Sequence, residues 1–527
     1  MAKRRQRTRS QQEQAPAEEP AASASRWPFR RRKKKPKKTL WQSTRETLDS
    51  ILVALVLASV FRTFIMEAFE IPTGSMAPTL YGQHVDVTCG ACGHHFSVGF
   101  DQSPDGGLPP DIVCPLCGTV HSIPTEFGTR GLALPADLPR RTHGGDRILV
   151  DKGAYTLGDP KRWEVGVFVN PHDPSVNYIK RVVGLPGDTV RIRHGDVYIN
   201  GRISRKPAHV QEALWMPVFD ANRPPNGSWT DPWPGVADVT EYTIHSREAN
   251  LVGSVWNPPW QAVRGDGGQW GLDGPVFTFE PTEGDTRPSH VLFAWPIFDT
   301  YGYGQRQQRG LGRRPYDPIE AVGDVRLRAD VALESAGVVT ATIIEDETRI
   351  DFVLSADPAV PSSVSVNFKK RSTVAVPLLT PGRTHALAFY NVDDLAWVEI
   401  DGSRPLGRED YAGRRLPPWS DDPVGKAILL GAGASPARFA NVRIDRDVFY
   451  TRTMNAERAF GVNEPYRLGL DEYFVLGDHS PSSRDSRRWW HDVLDAPSPA
   501  VTREHFIGKA FILYWPHNKP RRVKIIH

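Results

Sequence analysis

Two residues far apart in the chain could together cleave an acyl bond. Ser75 lies in Phe69 to Leu80, F-E-I-P-T-G-S-M-A-P-T-L, a rigid loop bounded by Pro and Gly. A serine hydroxyl is a weak nucleophile until a base takes its proton. Histidine commonly does so, but no histidine here stands in a motif that points to that role. Lysine can act if burial in apolar surroundings lowers its pKa from ~10.4 toward neutrality. Lys180, in Val176-Asn-Tyr-Ile-Lys-Arg-Val-Val183, shares a strand face with Tyr178 and Val182 by alternation, a setting that could desolvate it. Taken singly, a serine in a G-S-M turn is more often a turn residue, and a strand lysine more often faces water.

The second chemical grouping is Cys89-Gly-Ala-Cys92 and Cys114-Pro-Leu-Cys117, which hold all four cysteines of the chain with 21 residues between the pairs. Two tight C-x-x-C turns suit a tetrahedral zinc site of four thiolates, as in a zinc ribbon. Disulfides are the alternative that an exported location would permit. His84, His94, His95 and His121 are expected on the surface, because four cysteines already fill the site.

These residues need elements to hold them. At 527 residues the chain has room for about three domains. Its 46 Pro, 45 Gly and 39% hydrophobic residues fit loop-rich β structure better than a multi-span membrane protein. The net charge of +4 is uneven: residues 1–40 hold 14 Lys/Arg against 3 Glu, a net of +11, which leaves −7 for residues 41–527. The tail, residues 1–47, is too poor in apolar residues to offset ordering entropy and is expected to be disordered. It ends in Arg30-Arg-Arg-Lys-Lys-Lys-Pro-Lys-Lys38. Such a run could be a nucleic-acid arm, but its place just before an apolar segment favours holding that side of a span in the cytoplasm against anionic lipids. The apolar segment, 48–65, is short for a span of ~20 residues, with Asp49 and Arg62 near its ends. A cleavable signal peptide is the rival, yet no small-x-small cleavage site follows. One retained helix is expected, with residues 66–527 outside the cytoplasm.

Beyond it the pattern is mainly β. Alternating runs at Asp146–Lys152, Val165–Val169, Tyr178–Val183, Thr189–Arg193 and Asp196–Asn200 are joined by turn residues such as Pro186-Gly-Asp and Asn200-Gly, and no convincing amphipathic helix interrupts them. Core segments are read at 66–88, 144–206 and 466–527. A ribbon at 89–120 is inserted after the first. Evenly spaced strands from Asp324 to Ile400 indicate a β-sandwich. With N-V-D-D-L-A-W-V-E-I-D-G and F-A-N-V-R-I-D-R-D-V, residues 245–452 resemble laminin-G or concanavalin-like jelly rolls, inserted between strands of the core. Many such domains bind a glycan or protein ligand, though fold does not establish function.

Four boxes follow the apolar segment in order: I-P-T-G-S-M-A-P-T-L, G-D-R-I-L-V-D-K, Y-I-K-R-V-V-G-L-P-G-D and G-D-H-S-P-S-S-R-D-S-R-R-W. Their succession resembles that of type I (leader) signal peptidases, membrane-bound serine–lysine proteases, over about residues 45–88, 144–202 and 466–516. The resemblance implies an antiparallel β catalytic core after one transmembrane helix. It implies Ser75 as nucleophile, Lys180 as general base, and an oxyanion hole from Thr73 and the Ser75 N–H. Ser483 matches the serine that orients the lysine, Asp485 and Arg487 a structural ion pair, and Gly477 and Asp478 the turn. Phe69, Ile71, Leu80, Tyr178 and Ile179 fall where that family lines pockets for small side chains, as in Ala-x-Ala cleavage sites. No catalytic cofactor and no nucleic-acid partner is implied. The implied substrates are signal peptides of exported preproteins, cut at the outer face of the bacterial cytoplasmic membrane. His479 departs from the family's usual Asn, and Ser480-Pro481 alters the turn after it.

Overall fold

The computed structural model describes residues 40–99, 111–117, 119–122, 143–225, 260–262, 267–293, 297, 299, 303, 321–404, 406–412, 426–450, 459–489, 498–515 and 523–527. The basic run at 30–38 lies outside them. One helix, Leu40–Phe64, carries the apolar segment and begins earlier than residue 48. Its stretch Thr44–Phe64 is long and apolar enough to cross a membrane. At ~1.5 Å per residue those 21 residues reach ~32 Å, close to the ~30 Å of a bilayer's hydrocarbon core. Leu48, Ile51, Leu52 and Leu55 on it are exposed.

Three separated segments build the core. Its main sheet is antiparallel, in the order Met66–Glu70, Arg147–Asp151, Phe506–Trp515, Val165–Asn170, Asp173–Gly184, Glu472–Leu476, Val501–Thr502. Phe69 pairs with Ile148 across the ribbon insertion, and Val182 pairs with Val475 across the sandwich. A smaller sheet joins Arg202–Ile203, Asp196–Ile199, Thr189–Arg193 and Tyr466–Arg467. Its hairpin turns at Asn200 and Gly201, both at positive φ (52° and 79°), the conformation that an Asn-Gly pair adopts at low cost. Short helices at Gly153–Leu157 and Ala208–Leu214 are too brief to carry an amphipathic period.

The insertion is two packed antiparallel sheets. One runs Gly268–Asp273, Val276–Pro281, Ala437–Arg446, Val325–Leu333, Thr384–Val392, Leu395–Ile400, Glu409–Asp410; the other runs Trp260–Ala262, Ser289–Phe293, Lys426–Gly433, Val338–Glu345, Thr348–Ser355, Ser362–Val366, Lys369–Val374. Phe277, Phe279, Phe352, Phe389 and Phe439 are fully buried in a shared core. Met216–Asp220 also pairs with Ala437–Arg446, so the sandwich takes in chain well ahead of residue 245. Val218 and Phe219 account for this, since both are buried in that core.

The ribbon consists of two hairpins, His84–Thr88 with His95–Gly99 and Asp111–Val113 with Val120–Ser122. His95 is exposed and His94 half-buried. His84, expected on the surface, is instead buried, with Nδ1 2.7 Å from the Gly82 carbonyl. Strand pairing with His143 covers it, a long-range contact that local sequence does not announce.

Candidate active site

Ser75 follows the first core strand in a loop closed by hydrogen bonds from Ala77 N to Gly74 O and from Leu80 N to Met76 O, each 2.9 Å. Met76 and Leu80 are fully buried and pack with Ile71, Ile148, Val150 and Ile179, which fixes the loop on the sheet. The strand Asp173–Gly184 brings Lys180 to it, and Lys180 Nζ donates to Ser75 Oγ at 2.7 Å and to the Ile179 carbonyl at 3.0 Å. Lys180 is only 4% exposed. Burial pulls its pKa from 10.5 down to about 8, against the opposing carboxylates of Asp485 and Asp478. The Tyr178 ring lies 5.1 Å from the ammonium.

The last box wraps beneath this pair. Asp485 and Arg487 form a fully buried ion pair, with Nη2 to Oδ2 at 2.7 Å and Nε to Oδ1 at 2.9 Å. Burial pushes the Asp485 carboxyl up, and the Arg487 guanidinium more than reverses this, leaving it below the ordinary carboxylate range. Asp485 also accepts the Gly477 N–H at 3.0 Å, and Arg487 donates to Ser480 Oγ at 2.6 Å. A Cβ at Gly477 would collide with Ser483 Oγ and the Ser75 carbonyl, so only glycine permits this approach. Ser483 is fully buried beside Asp485, whose charged form its hydroxyl favours, and among the described residues no hydrogen bond joins its Oγ to Lys180. His479 reaches Ser75 through its backbone: its N–H donates to the Ser75 carbonyl at 3.0 Å, a contact indifferent to Asn or His. Thr73 is exposed beside the loop, and among the described residues the Ser75 N–H donates to no acceptor.

Of the expected pocket residues, Phe69, Ile71, Leu80 and Ile179 share one apolar cluster, with Phe69 at its half-buried edge. Tyr178 lies on the opposite strand face, against Phe168 and Trp489. Three further residues matter that sequence reasoning left out. Arg181 makes a fully buried, two-pronged pair with Asp478 (2.8 and 2.7 Å) and also donates to the Trp163 and His527 carbonyls, both at 2.7 Å. Thr79 Oγ1 donates to the same Asp478 at 2.5 Å, tying the Ser75 loop to the last box. Strand alternation could have flagged Arg181, because the neighbour of an inward lysine faces the other covered side. Tyr303, from the inserted region, stacks on Tyr81 at 5.1 Å, donates to the Gln83 carbonyl at 2.9 Å and fills the space above Gly74. No local motif surrounds it.

In the ribbon, Cys89, Cys92, Cys114 and Cys117 converge, their Sγ atoms all within 4.8 Å of one another, and none is in a disulfide. The Cys89–Cys117 and Cys92–Cys114 sulfurs are 3.6 Å apart. Gly93, at φ +67°, turns the first C-x-x-C back so that its N–H reaches the Cys89 carbonyl at 2.8 Å. Four converging thiols of this kind could hold a metal ion.

A family model described as signal peptidase, peptidase S26, matches residues 138–216 and 439–515. The core is similar to peptidase S26 over those two stretches. Among curated relatives, signal peptidase I of Pseudomonas fluorescens is 34% identical over 153 residues, and that of Pseudomonas aeruginosa 32% over 155; each match covers 29% of this chain. The matches span 36% and 37% of those relatives' lengths. The S26 match takes in Lys180 and Ser483 but stops short of Ser75, which the tertiary structure alone brings to Lys180. For the sandwich, a carbohydrate-binding module from Bacillus subtilis aligns over 36% of this chain and 95% of its own, at 11% identity and a TM-score of 0.24, and adds nothing to the topology described above.

Proposed function

We propose that this chain is a membrane-anchored serine endopeptidase of the signal peptidase I type, with Ser75 and Lys180 as a catalytic dyad. The carrying observation is the 2.7 Å contact from a buried lysine to a loop serine inside an S26-like core. In the reaction, neutral Lys180 takes the Ser75 proton as Oγ attacks the scissile carbonyl carbon. The Ser75 N–H and the Thr73 hydroxyl stabilise the resulting oxyanion. Lys180 then gives its proton to the leaving amine, and an acyl-enzyme remains on Oγ. Lys180 next deprotonates a water molecule, which hydrolyses that ester and frees Ser75. Ser483 and the Asp485–Arg487 pair hold the last box against the Ser75 backbone. Phe69 and its apolar neighbours favour small side chains such as those of Ala-x-Ala sites.

The proposed substrates are signal peptides of exported preproteins. The helix Leu40–Phe64 ends about ten residues before Ser75, a tether that keeps the nucleophile near a bilayer, with the basic tail in the cytoplasm. A cleavage assay on a preprotein in detergent tests this. Ser75→Ala and Lys180→Ala should each abolish cleavage while melting like the wild type. Processing by the Lys180→Ala protein would remove the dyad from consideration.

We further propose that the four thiolates hold a structural zinc ion. Zn–S bonds of ~2.3 Å in a tetrahedron place sulfurs ~3.8 Å apart, close to the 3.6 Å separations observed. The ion would fasten the two hairpins to each other and take no part in peptide cleavage.

A further inference from the structure

Where the core meets the inserted sandwich, three aspartates from separate segments converge. Asp196 begins the core strand Asp196–Ile199, Asp324 precedes the sandwich strand Val325–Leu333, and Asp393 lies in the turn between Thr384–Val392 and Leu395–Ile400. Carboxylate oxygens of the three lie within 4.8 Å of one another, and all three residues are buried. Asp393 Oδ1 is 2.8 Å from Lys206 Nζ, but that ammonium is also 2.8 Å from the buried Asp447. Lys426 is engaged by Glu345 and Asp346, and Arg205, which donates to the Asp393 carbonyl at 3.1 Å, has its charge paired with Asp410. Among the described residues the Asp324 carboxylate accepts the Asp393 N–H, at 3.2 Å.

Asp196 supplies a separate observation. It arrives from the core, not from the sandwich, is 8% exposed, and its carboxylate has no hydrogen bond or ion pair among the described residues. Its approach is fixed by Gly195, at φ +93° with its Cα face against Phe449, and by the hydrogen bond from Tyr450 N to the Gly195 carbonyl at 3.0 Å. A buried carboxyl set against two others either keeps its proton or is paired with a cation, because burial of charge is costly unless it is paired.

We propose that Asp196, Asp324 and Asp393 form a calcium site that clamps the inserted sandwich to the peptidase core. The donors are all oxygens, which suits a hard cation rather than zinc. Oxygens bound to one Ca²⁺ at ~2.3–2.6 Å lie at most about 5.2 Å apart, a condition that three oxygens within 4.8 Å of one another meet. Ca²⁺ suits carboxylates brought together from separate segments because it takes six to eight oxygens in flexible geometry, whereas Mg²⁺ demands a near-ideal octahedron and sheds its water reluctantly. Backbone carbonyls and water complete the shell. The site lies apart from Ser75, Lys180 and the four cysteines, so it stands or falls independently of the readings above.

The test uses the full chain in detergent, dialysed against buffer passed over a chelating resin, with CaCl₂ titrated by calorimetry and zinc measured in the same sample. One Ca²⁺ per chain and a Tm raised by Ca²⁺ are expected. Asp196→Asn should lose at least tenfold in Ca²⁺ affinity together with the Ca²⁺-dependent rise in Tm. Without Ca²⁺ the same variant should melt no lower than the wild type, since it removes one of three repelling carboxylates. Should Asp196→Asn not fold, Asp324→Asn is read in the same way. A wild-type chain that takes up no stoichiometric Ca²⁺, one that responds to Mg²⁺ alone, or a variant that binds Ca²⁺ as the wild type does overturns the proposal.

Discussion

At the scale of single residues, Lys180 as the proposed base faces two demands. It must be neutral to accept the Ser75 proton and must stand within hydrogen-bonding reach of it. Burial meets the first by bringing its pKa to about 8, and the strand meets the second at 2.7 Å. A base acts only when deprotonated, so activity should rise with pH through the pKa. A group with a pKa near 8 is roughly one-tenth neutral at pH 7 and mostly neutral at pH 9. We therefore expect kcat/KM to increase about tenfold between pH 7 and pH 9 and then level off; a flat profile over that range would remove Lys180 as the base. Gly477 makes a second residue-scale case. Gly477→Ala pushes on Ser483 and the Ser75 carbonyl together. Since misplacement by about 1 Å can cost on the order of 100-fold, kcat should fall on that scale. Expression and melting of the variant should show whether the loss comes from position or from unfolding.

At the scale of elements, the strand Asp173–Gly184 presents Lys180 to one face and Arg181 to the other, because successive side chains alternate. Asp478, just after the strand Glu472–Leu476, pairs with Arg181 and accepts from Thr79, so one carboxylate joins three core segments. Removing it leaves a buried guanidinium uncompensated. Asp478→Ala should destabilise the fold by roughly 3–5 kcal/mol, measured by denaturant unfolding, whereas Ser75→Ala should leave the midpoint unchanged. Equal midpoints for the two variants would show that Arg181 finds another partner.

At the scale of the whole molecule beyond the helix, the two insertions are packed on each other and on the core. Cys89, Cys114, Leu116 and Cys117 belong to the same apolar cluster as Phe277, Phe389 and Phe439 of the sandwich. Tyr303 reaches from the inserted region to the space above Gly74. If zinc holds the ribbon, Cys89→Ser should purify without stoichiometric zinc, and its ribbon should be cut faster in limited proteolysis. Because the ribbon shares the sandwich core, the Tm of the sandwich should fall as well. Unaltered zinc content in that variant would reassign the four sulfurs.

By itself the sequence determined whatever depends on local chemistry. Alternation marked the strands, Asn200-Gly marked the hairpin, and the paired C-x-x-C turns marked a four-thiol cluster. The apolar run marked the helix, though not its start at Leu40, because the polar first turns carry no hydropathy signal. The four boxes pointed to Ser75 and Lys180 as a pair. Only the tertiary structure decided what depends on contacts across long stretches of chain. It buried His84 against His143, extended the sandwich to Met216 and revealed Arg181 as the partner of Asp478. It also set Tyr303 over Gly74 and gathered Asp196, Asp324 and Asp393 at one point. The physical reason is the same in each case. Periodicity and turn chemistry act over a few residues, whereas the burial of a charge or a ring is set by whatever folds against it, and here the partners lie tens to hundreds of residues away.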